Sequence, residues 1–293
     1  MLILDGKKAS LQLKEDLKNA VSKLTASGKR PPHLAAILVG HDGASETYIN
    51  SKVKNCAAVG FQSTLVRFEA DIPEATLLEK IAHFNQDAAI DGILVQLPLP
   101  KHIAEQKIIE AIHPGKDVDG FHPLNAGRLV QGKPAFISAT PYGILLLLEY
   151  YQIETAGKNA VVIGRSNIVG RPMSILLSNN TPHGNCTVTL CHSHTKDLAE
   201  ICRRADILVA ALGKPGFVKA DMVKEGAMVI DVGITRIADA SKKSGYRLAG
   251  DVDFEQVAPK TFAITPVPGG VGLMTIAGLL QNTFQAYNAT QHD

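Results

Sequence analysis

The sequence predicts an α/β protein of two domains, and three observations carry that prediction. Short apolar runs alternate with helical stretches almost throughout the chain. A loop-rich section, 113–139, divides two such series. The runs are apolar throughout, as in parallel strands covered by helices on both faces. The 293 residues allow two domains of about 150 residues each. With 45% hydrophobic residues and a net charge of only +2, the chain is neither disordered nor electrostatically suited to nucleic acid or a membrane surface. No apolar run approaches the roughly 18 residues that span a bilayer. The start, Met1-Leu-Ile-Leu-Asp5, has neither the basic residues nor the cleavage site of a signal peptide. Cys56, Cys186, Cys191 and Cys202 are too few and too irregular for a disulfide framework, so a reducing, cytoplasmic setting is expected.

In the first series, residues 7–27 read as a helix with Leu11, Leu13, Leu17 and Val21 near one stripe. His33–Gly40 is a buried strand ending in glycine. Helix 44–59, strand 61–69, helix 73–86 and strand 92–98 follow, and the very apolar stretch 141–151 reads as a helical linker. The second series runs through strand Ala160–Gly164, helix 169–178, strand Cys186–His192, helix 196–203, strand Asp206–Leu212, helix 219–225 and strand Ala227–Val232. A Pro/Gly-rich loop, Ile264–Gly272, precedes a final helix over 274–289. That helix is expected to return to the first domain. The predicted domains are therefore 1–140 joined by 274–293, and 141–273, with a cleft between them.

Val162-Ile-Gly-Arg-Ser-Asn-Ile-Val-Gly-Arg-Pro172 places a Gly-bearing turn between a strand and a helix, where backbone N–H groups and a helix N-terminus suit a pyrophosphate. The pattern departs from G-x-G-x-x-G: Gly164 and Gly170 are six apart and Ser166 replaces the middle glycine. A plain strand–helix connection has the same appearance, but the α/β series that follows favours a dinucleotide site. The next strand ends in Cys191-His-Ser-His194 with no carboxylate at its tip, whereas an NAD site usually has one there for the ribose. Arg165 and a serine hydroxyl suit a 2′-phosphate, which points to NADP; a solvated loop arginine is the plainer alternative. Cys186, Cys191, His192 and His194 lack paired spacing, and strand alternation divides them between faces, so no metal is expected.

In the first half, Tyr48 and Lys52 are four apart and share a helix face. A lysine beside an aromatic ring in a water-excluding site has its charged form disfavoured and exchanges protons near neutral pH. A packed ring beside a solvated amine is the competing reading. Gln96 lies toward the carboxyl end of its strand, where ligands bind in open α/β sheets, and Pro98 and Pro100 stop that strand. Lys116-Asp-Val-Asp-Gly120 sets two acids on a Gly-terminated loop, with Asp119 a candidate to hydrogen-bond a nitrogen-rich ring. Tyr-x-x-x-Lys also occurs in short-chain dehydrogenases, but there the pair follows the nucleotide turn, and here it precedes it by more than 100 residues.

Five motifs stand in order: Tyr48-x-x-x-Lys52, Val95-Gln-Leu-Pro-Leu-Pro100, Lys116-Asp-Val-Asp-Gly120, Gly164-Arg-Ser-x-Ile-Val-Gly-x-Pro172 and Pro266-Val-Pro-Gly-Gly-Val-Gly272. With them the chain resembles the bifunctional methylenetetrahydrofolate dehydrogenase/methenyltetrahydrofolate cyclohydrolase family over essentially its whole length. The resemblance implies an N-terminal α/β catalytic domain, a Rossmann-type dinucleotide-binding domain, a homodimer, tetrahydrofolate derivatives as substrates and NADP as cofactor. It implies that Lys52 is catalytic, that Tyr48 packs beside the folate rings, that Gln96 holds Lys52, and that Asp119 binds the pterin. Pro98, Gly269 and Gly270 would line the substrate. Gly164, Arg165, Ser166, Ile168 and Val169 would surround NADP, with Ser193 and Ile234 completing that pocket. The sequence departs from the family's usual pattern at Leu273, Phe121 and Ser138-Ala-Thr-Pro141. A monofunctional enzyme on the same scaffold and a nucleotide-sensing module are the alternatives.

Overall fold

A computed structural model describes residues 1–242 and 245–290. In chain order it contains β1 (Leu2–Ile3), α1 (Gly6–Ala26), β2 (His33–Val39), α2 (Gly43–Ala58), β3 (Gln62–Phe68), α3 (Glu74–Gln86), β4 (Gly92–Val95), α4 (Glu105–Ala111), α5 (Pro123–Val130) and α6 (Ala139–Tyr150). There follow β5 (Asn159–Ile163), α7 (Gly170–Ser178), β6 (Thr187–Cys191), α8 (Leu198–Arg203), β7 (Ile207–Ala210), β8 (Met228–Asp231), β9 (Thr235–Ala238), β10 (Tyr246–Ala249), α9 (Phe254–Val257), β11 (Ala263–Ile264) and α10 (Val271–Thr290). The chain divides into two compact units: Leu11–Ala139 with Ile276 onward, and Met1–Ser10 with Thr140–Thr275. The first ten residues thus go with the second α/β series rather than with 1–140, because β1 pairs with β11. Of the C-terminal segment 274–293, residues 291–293 lie outside the described residues.

The smaller sheet has the order β3-β2-β4, all parallel, with Ile37 of the central strand opposite Val66 and Val95. Alternation along β2 feeds two cores. Ala36 and Leu38, with Leu94, meet Ile49 of α2 and Leu279 and Leu280 of α10. Ala35 and Ile37, with Ile93 and Val95, meet Leu77 and Ile81 of α3. Covering both faces is what makes these strands apolar throughout rather than alternating. In α1, Leu17 and Val21 are buried as expected, but Leu11 is 55% exposed; it lies off the stripe that the helix turns inward.

The larger sheet is also parallel, in the order β6-β5-β7-β8-β11-β1. The first strand of the series, β5, is flanked by the second and third, so the winding reverses there. Such a reversal opens a crevice outside the carboxyl ends of the strands, the usual ligand position in open α/β sheets. A separate antiparallel pair joins β9 to β10. Among the described residues no helix is long and apolar enough to cross a membrane.

The structure corrects several sequence-based boundaries. Strand 92–98 ends at Val95, just before Gln96. The loop 113–139 contains α5, begun by Pro123 in the first turn and capped by the His122 ring. The expected helix 219–225 shrinks to a single 3-10 turn, Ala220–Met222. The two-residue strands β1 and β11 are too short to produce a periodic signal.

At the amino end of the smaller sheet, fully buried Asp91 accepts two bonds of 2.7 Å from the Arg30 guanidinium and one of 2.8 Å from the His33 N–H. Removing the cation leaves a buried carboxylate without its counter-charge. Arg30→Ala is therefore expected to lower the unfolding free energy by about 3 kcal/mol, read as a shift of the urea midpoint at unchanged slope.

Candidate active site

Helix α2 buries the stripe Ser45, Ile49, Lys52 and Cys56, with the Asp42 side chain capping its start by accepting the Ser45 N–H at 2.8 Å. Lys52 therefore occupies a position that points inward with its apolar neighbours, and it is only 5% exposed. Tyr48, one turn earlier, lays its ring 4.7 Å from the Lys52 ammonium. Gln96 continues the β4 ladder by donating its backbone N–H to Ile37 at 2.9 Å. Its side-chain NH2 group donates to the Leu97 carbonyl at 2.7 Å, which turns Oε1 toward Lys52 Nζ at 3.3 Å. Asp119, 9% exposed, brings Oδ1 to 4.0 Å from the same nitrogen. The four residues predicted to act together thus converge on one amine.

Burial dominates the electrostatics. Desolvation pulls the Lys52 amine below the usual lysine range, opposed by the charge of Asp119. Desolvation also raises the Asp119 carboxyl, opposed by Lys52. Burial thus disfavours the charged form of each group, and the charge of each supports that of the other. Cys56, one turn beyond Lys52, is pushed up to about 12 by burial and so remains a neutral thiol. Beside Asp119 lies a cavity of about 10 Å3, lined by Val95, Leu97, Ile108, Ile112, Phe121 and the other acid of the loop, Asp117, with room for about one water. A desolvated amine with an amide oxygen and a carboxyl in reach is equipped to take up and release protons.

In the other unit, the β5–α7 turn carries Gly164, Arg165, Ser166, Ile168 and Val169. Gly164 sits at φ +118°, and a Cβ there would lie 2.1 Å from the Ala211 carbonyl. Gly170 is pressed against Gly164 in the same way. Ser166 Oγ accepts the N–H groups of Val169 at 3.2 Å and Gly170 at 3.4 Å, leaving its own hydrogen free in direction. Arg165 is exposed, and among the described residues no carboxylate pairs with it. Desolvation lowers the His192 imidazole, just past β6, and the charge of Arg165 lowers it further. A glycine-pinched turn at the sheet's reversal point that carries an arginine with no carboxylate partner among the described residues fits a phosphorylated dinucleotide.

Because the sheet is parallel, its other loops leave from the same carboxyl edge. Exposed Ser193 follows β6, and Ile234, 61% exposed, follows β8. Buried Asp231 fixes that second loop by accepting the N–H groups of Gly233, Asp251 and Val252 at 2.9 to 3.0 Å. Asp251 in turn accepts those of Leu212 and Gly213 at 2.6 and 2.9 Å, after β7. Gly269, at φ +111°, and Gly270 follow β11; a Cβ on Gly270 would lie 2.6 Å from the Pro266 carbonyl, so the loop's own packing already requires glycine there. Pro98 is exposed after a cis Leu97–Pro98 bond, and Leu273 is partly exposed at the start of α10. Phe121 lines the cavity beside Asp119, while Ala139 is buried in the core of the three-stranded unit. The Cys186 thiol donates to the Thr155 carbonyl. Among the described residues no three of His, Cys, Asp or Glu come together as a metal-binding group.

Sequence reasoning missed the residues that hold the Asp119 loop. Asp117, the first acid of Lys116-Asp-Val-Asp-Gly120, turns inward and accepts three hydrogen bonds, and Asn282 reaches the loop from α10. The only sequence signal for Asn282 is an amide inside an otherwise apolar helix face.

Family models for the tetrahydrofolate dehydrogenase/cyclohydrolase catalytic domain and NAD(P)-binding domain match residues 4–119 and 138–291. The chain is 62% identical to the "Bifunctional protein FolD" of Cytophaga hutchinsonii over 286 residues, 98% of this chain and 99% of that one. It is similar to the crystal structure of a bifunctional FolD methylenetetrahydrofolate dehydrogenase/cyclohydrolase from Campylobacter jejuni, with TM-score 0.93, 47% identity and 99% of both chains covered. It is also similar to the Trypanosoma brucei enzyme complexed with NADP cofactor and inhibitor, with TM-score 0.94, 37% identity and 100% and 99% of the chains covered. By these matches, over both of its units, the chain belongs to the tetrahydrofolate dehydrogenase/cyclohydrolase family.

Proposed function

We propose that this protein oxidises 5,10-methylenetetrahydrofolate to 5,10-methenyltetrahydrofolate with NADP and hydrolyses that product to 10-formyltetrahydrofolate. The observation that carries the reading is the buried Lys52 amine, 3.3 Å from Gln96 and 4.0 Å from Asp119, in a chain of this family.

NADP, when bound, supplies the acceptor for the hydride that leaves the one-carbon bridge. The chain's own residues orient and move protons. Asp119 offers carboxyl oxygens to the N–H groups of the pterin ring, and the Tyr48 ring gives the folate an aromatic surface. The first step leaves a cationic carbon shared by two nitrogens, so the substrate carries its own activation. Water attacks that carbon in the second step. Lys52, whose charged form desolvation disfavours, accepts a proton from the attacking water and returns it to the departing ring nitrogen as the C–N bond opens, while the remaining hydroxyl proton passes to solvent as the formyl C=O forms. Gln96 keeps the amine aimed at the carbon through its own fixed amide. On the nucleotide side, Gly164 lets the backbone approach the pyrophosphate, and Arg165 with a serine hydroxyl takes the 2′-phosphate.

Three outcomes test this assignment. Lys52→Met is expected to reduce cyclohydrolase turnover by roughly two orders of magnitude or more while NADP binding, measured by fluorescence titration, stays unchanged; retained hydrolysis removes Lys52 from the mechanism. Arg165→Ala is expected to raise KM for NADP roughly tenfold with little change for NAD, and equal effects on the two cofactors contradict the 2′-phosphate role. The third concerns pH. Hydrolysis rises with pH as Lys52 loses its proton, and the carboxylate of Asp119 holds that proton on. Removing the charge lowers the lysine further, so Asp119→Asn at saturating substrate is expected to move the rising limb of kcat to lower pH. A limb that stays in place or moves upward would mean that the Asp119 charge does not hold the proton on Lys52.

A further inference from the structure

Asp119 reaches Lys52 only across 4.0 Å, so its carboxyl is placed by the backbone that carries it rather than by a tight ion pair. That backbone is held on both sides of residue 119. Before it, the Asn282 side-chain amide of α10 donates to the Val118 carbonyl and to the Ile137 carbonyl, each at 2.8 Å. One NH2 group thereby joins the loop that bears Asp119 to the segment running into α6. The junction is close: a Cβ on Gly120 would lie 2.5 Å from backbone atoms of Ile137 and Ser138, and the Ala139 N–H bonds the Asp119 carbonyl at 3.3 Å. After residue 119, the Asp117 carboxyl draws the chain back by accepting the N–H groups of Phe121 at 3.2 Å and His122 at 2.8 Å. It also accepts the Asn125 side-chain amide at 2.9 Å.

Neither residue is open to solvent: Asn282 is fully buried, and Asp117, which borders the small cavity beside Asp119, is 1% exposed with its carboxyl taken up by three donors. Asn282 also bears a burden that a purely structural residue would avoid. Its Oδ1 is buried without a hydrogen-bond partner, in a helix face that otherwise packs Leu279 and Leu280 into the core. A leucine of similar volume would fill the space with no orphaned oxygen. What only the amide supplies is its pair of donors, and both go to the Asp119 frame.

We propose that Asn282 and Asp117 are positioning residues for the folate reaction, two clamps that fix where Asp119 presents its carboxyl. The inference rests on the reading of Asp119 as a substrate-binding group. Loss of either clamp leaves Asp119 present but displaced, which weakens substrate binding without touching the nucleotide turn, whose residues lie in the other unit.

The test is a set of double-mutant cycles on the full chain. Asn282→Leu, Asp117→Asn and Asp119→Asn are made singly, and the first two are each combined with the third. Circular dichroism confirms folding, KM and kcat for methylenetetrahydrofolate are measured at saturating NADP, and NADP Kd is measured by fluorescence. Each clamp variant is expected to raise the folate KM roughly tenfold, with kcat less affected and NADP Kd unchanged. Each double variant is expected to be no worse than Asp119→Asn alone. An effect of Asp119→Asn, with clamp variants that keep the parental KM or add fully to it, overturns the clamp and leaves the Asp119 reading standing. An Asp119→Asn variant with the parental KM overturns that reading itself and the clamp with it. Where one clamp variant does not fold, the other decides; if neither folds, the residues are folding elements and the proposal is overturned.

Discussion

The three-stranded unit is organised around an amine that its own fold has removed from water. Desolvating Lys52 costs more than the neighbouring carboxyl returns, because the two groups stand 4.0 Å apart without a close hydrogen bond between them. A tight ion pair would lock the lysine in its charged form, and an open position would leave it with ordinary solution chemistry. The intermediate arrangement keeps the proton exchangeable. Helix α2 makes this possible by setting Lys52 in register with Ile49 and Cys56, so the amine is carried inward by the packing of its neighbours. Cys56, a neutral thiol, adds no charge of its own.

The six-stranded unit meets a different constraint. Its turn must bring backbone to backbone, and the pinch at Gly164 and Gly170 excludes side chains where β5 enters α7. The parallel order then collects every loop that follows a strand on one edge. Two buried acids, Asp231 and Asp251, tie those loops together through main-chain N–H groups rather than through cations. Here the carboxylates serve as acceptors that shape loops, whereas Asp119 stands beside the Lys52 amine.

Much of this was legible in the sequence where a local pattern had a local cause. The four-residue spacing of Tyr48 and Lys52 is a helical face, and the alternating series of apolar runs is a parallel sheet. The Gly164 turn is a backbone requirement written as a residue type. What stayed hidden depends on distant partners. The partners that meet the buried Lys52 amine, Gln96 and Asp119, lie 44 and 67 positions away. Strands β1 and β11 are two residues each and exist only because they find one another across the chain. Asp117 and Asp119 look equivalent in Lys116-Asp-Val-Asp-Gly120, yet one faces backbone donors and the other the amine. Only the fold separates them. Helix α5 was lost because its short, mixed sequence follows a loop rich in turn residues.

Asp231 gives its unit an unusual relation to acid. Burial, with Asp251 nearby, raises its carboxyl from the ordinary 3.8 to about 6 despite three main-chain donors. A group whose affinity for a proton is greater in the folded than in the unfolded chain lends its full support below about pH 4 and loses it as the medium is brought through 6. This one carboxyl therefore adds to stability on mild acidification, where a carboxyl held below its ordinary range would subtract from it.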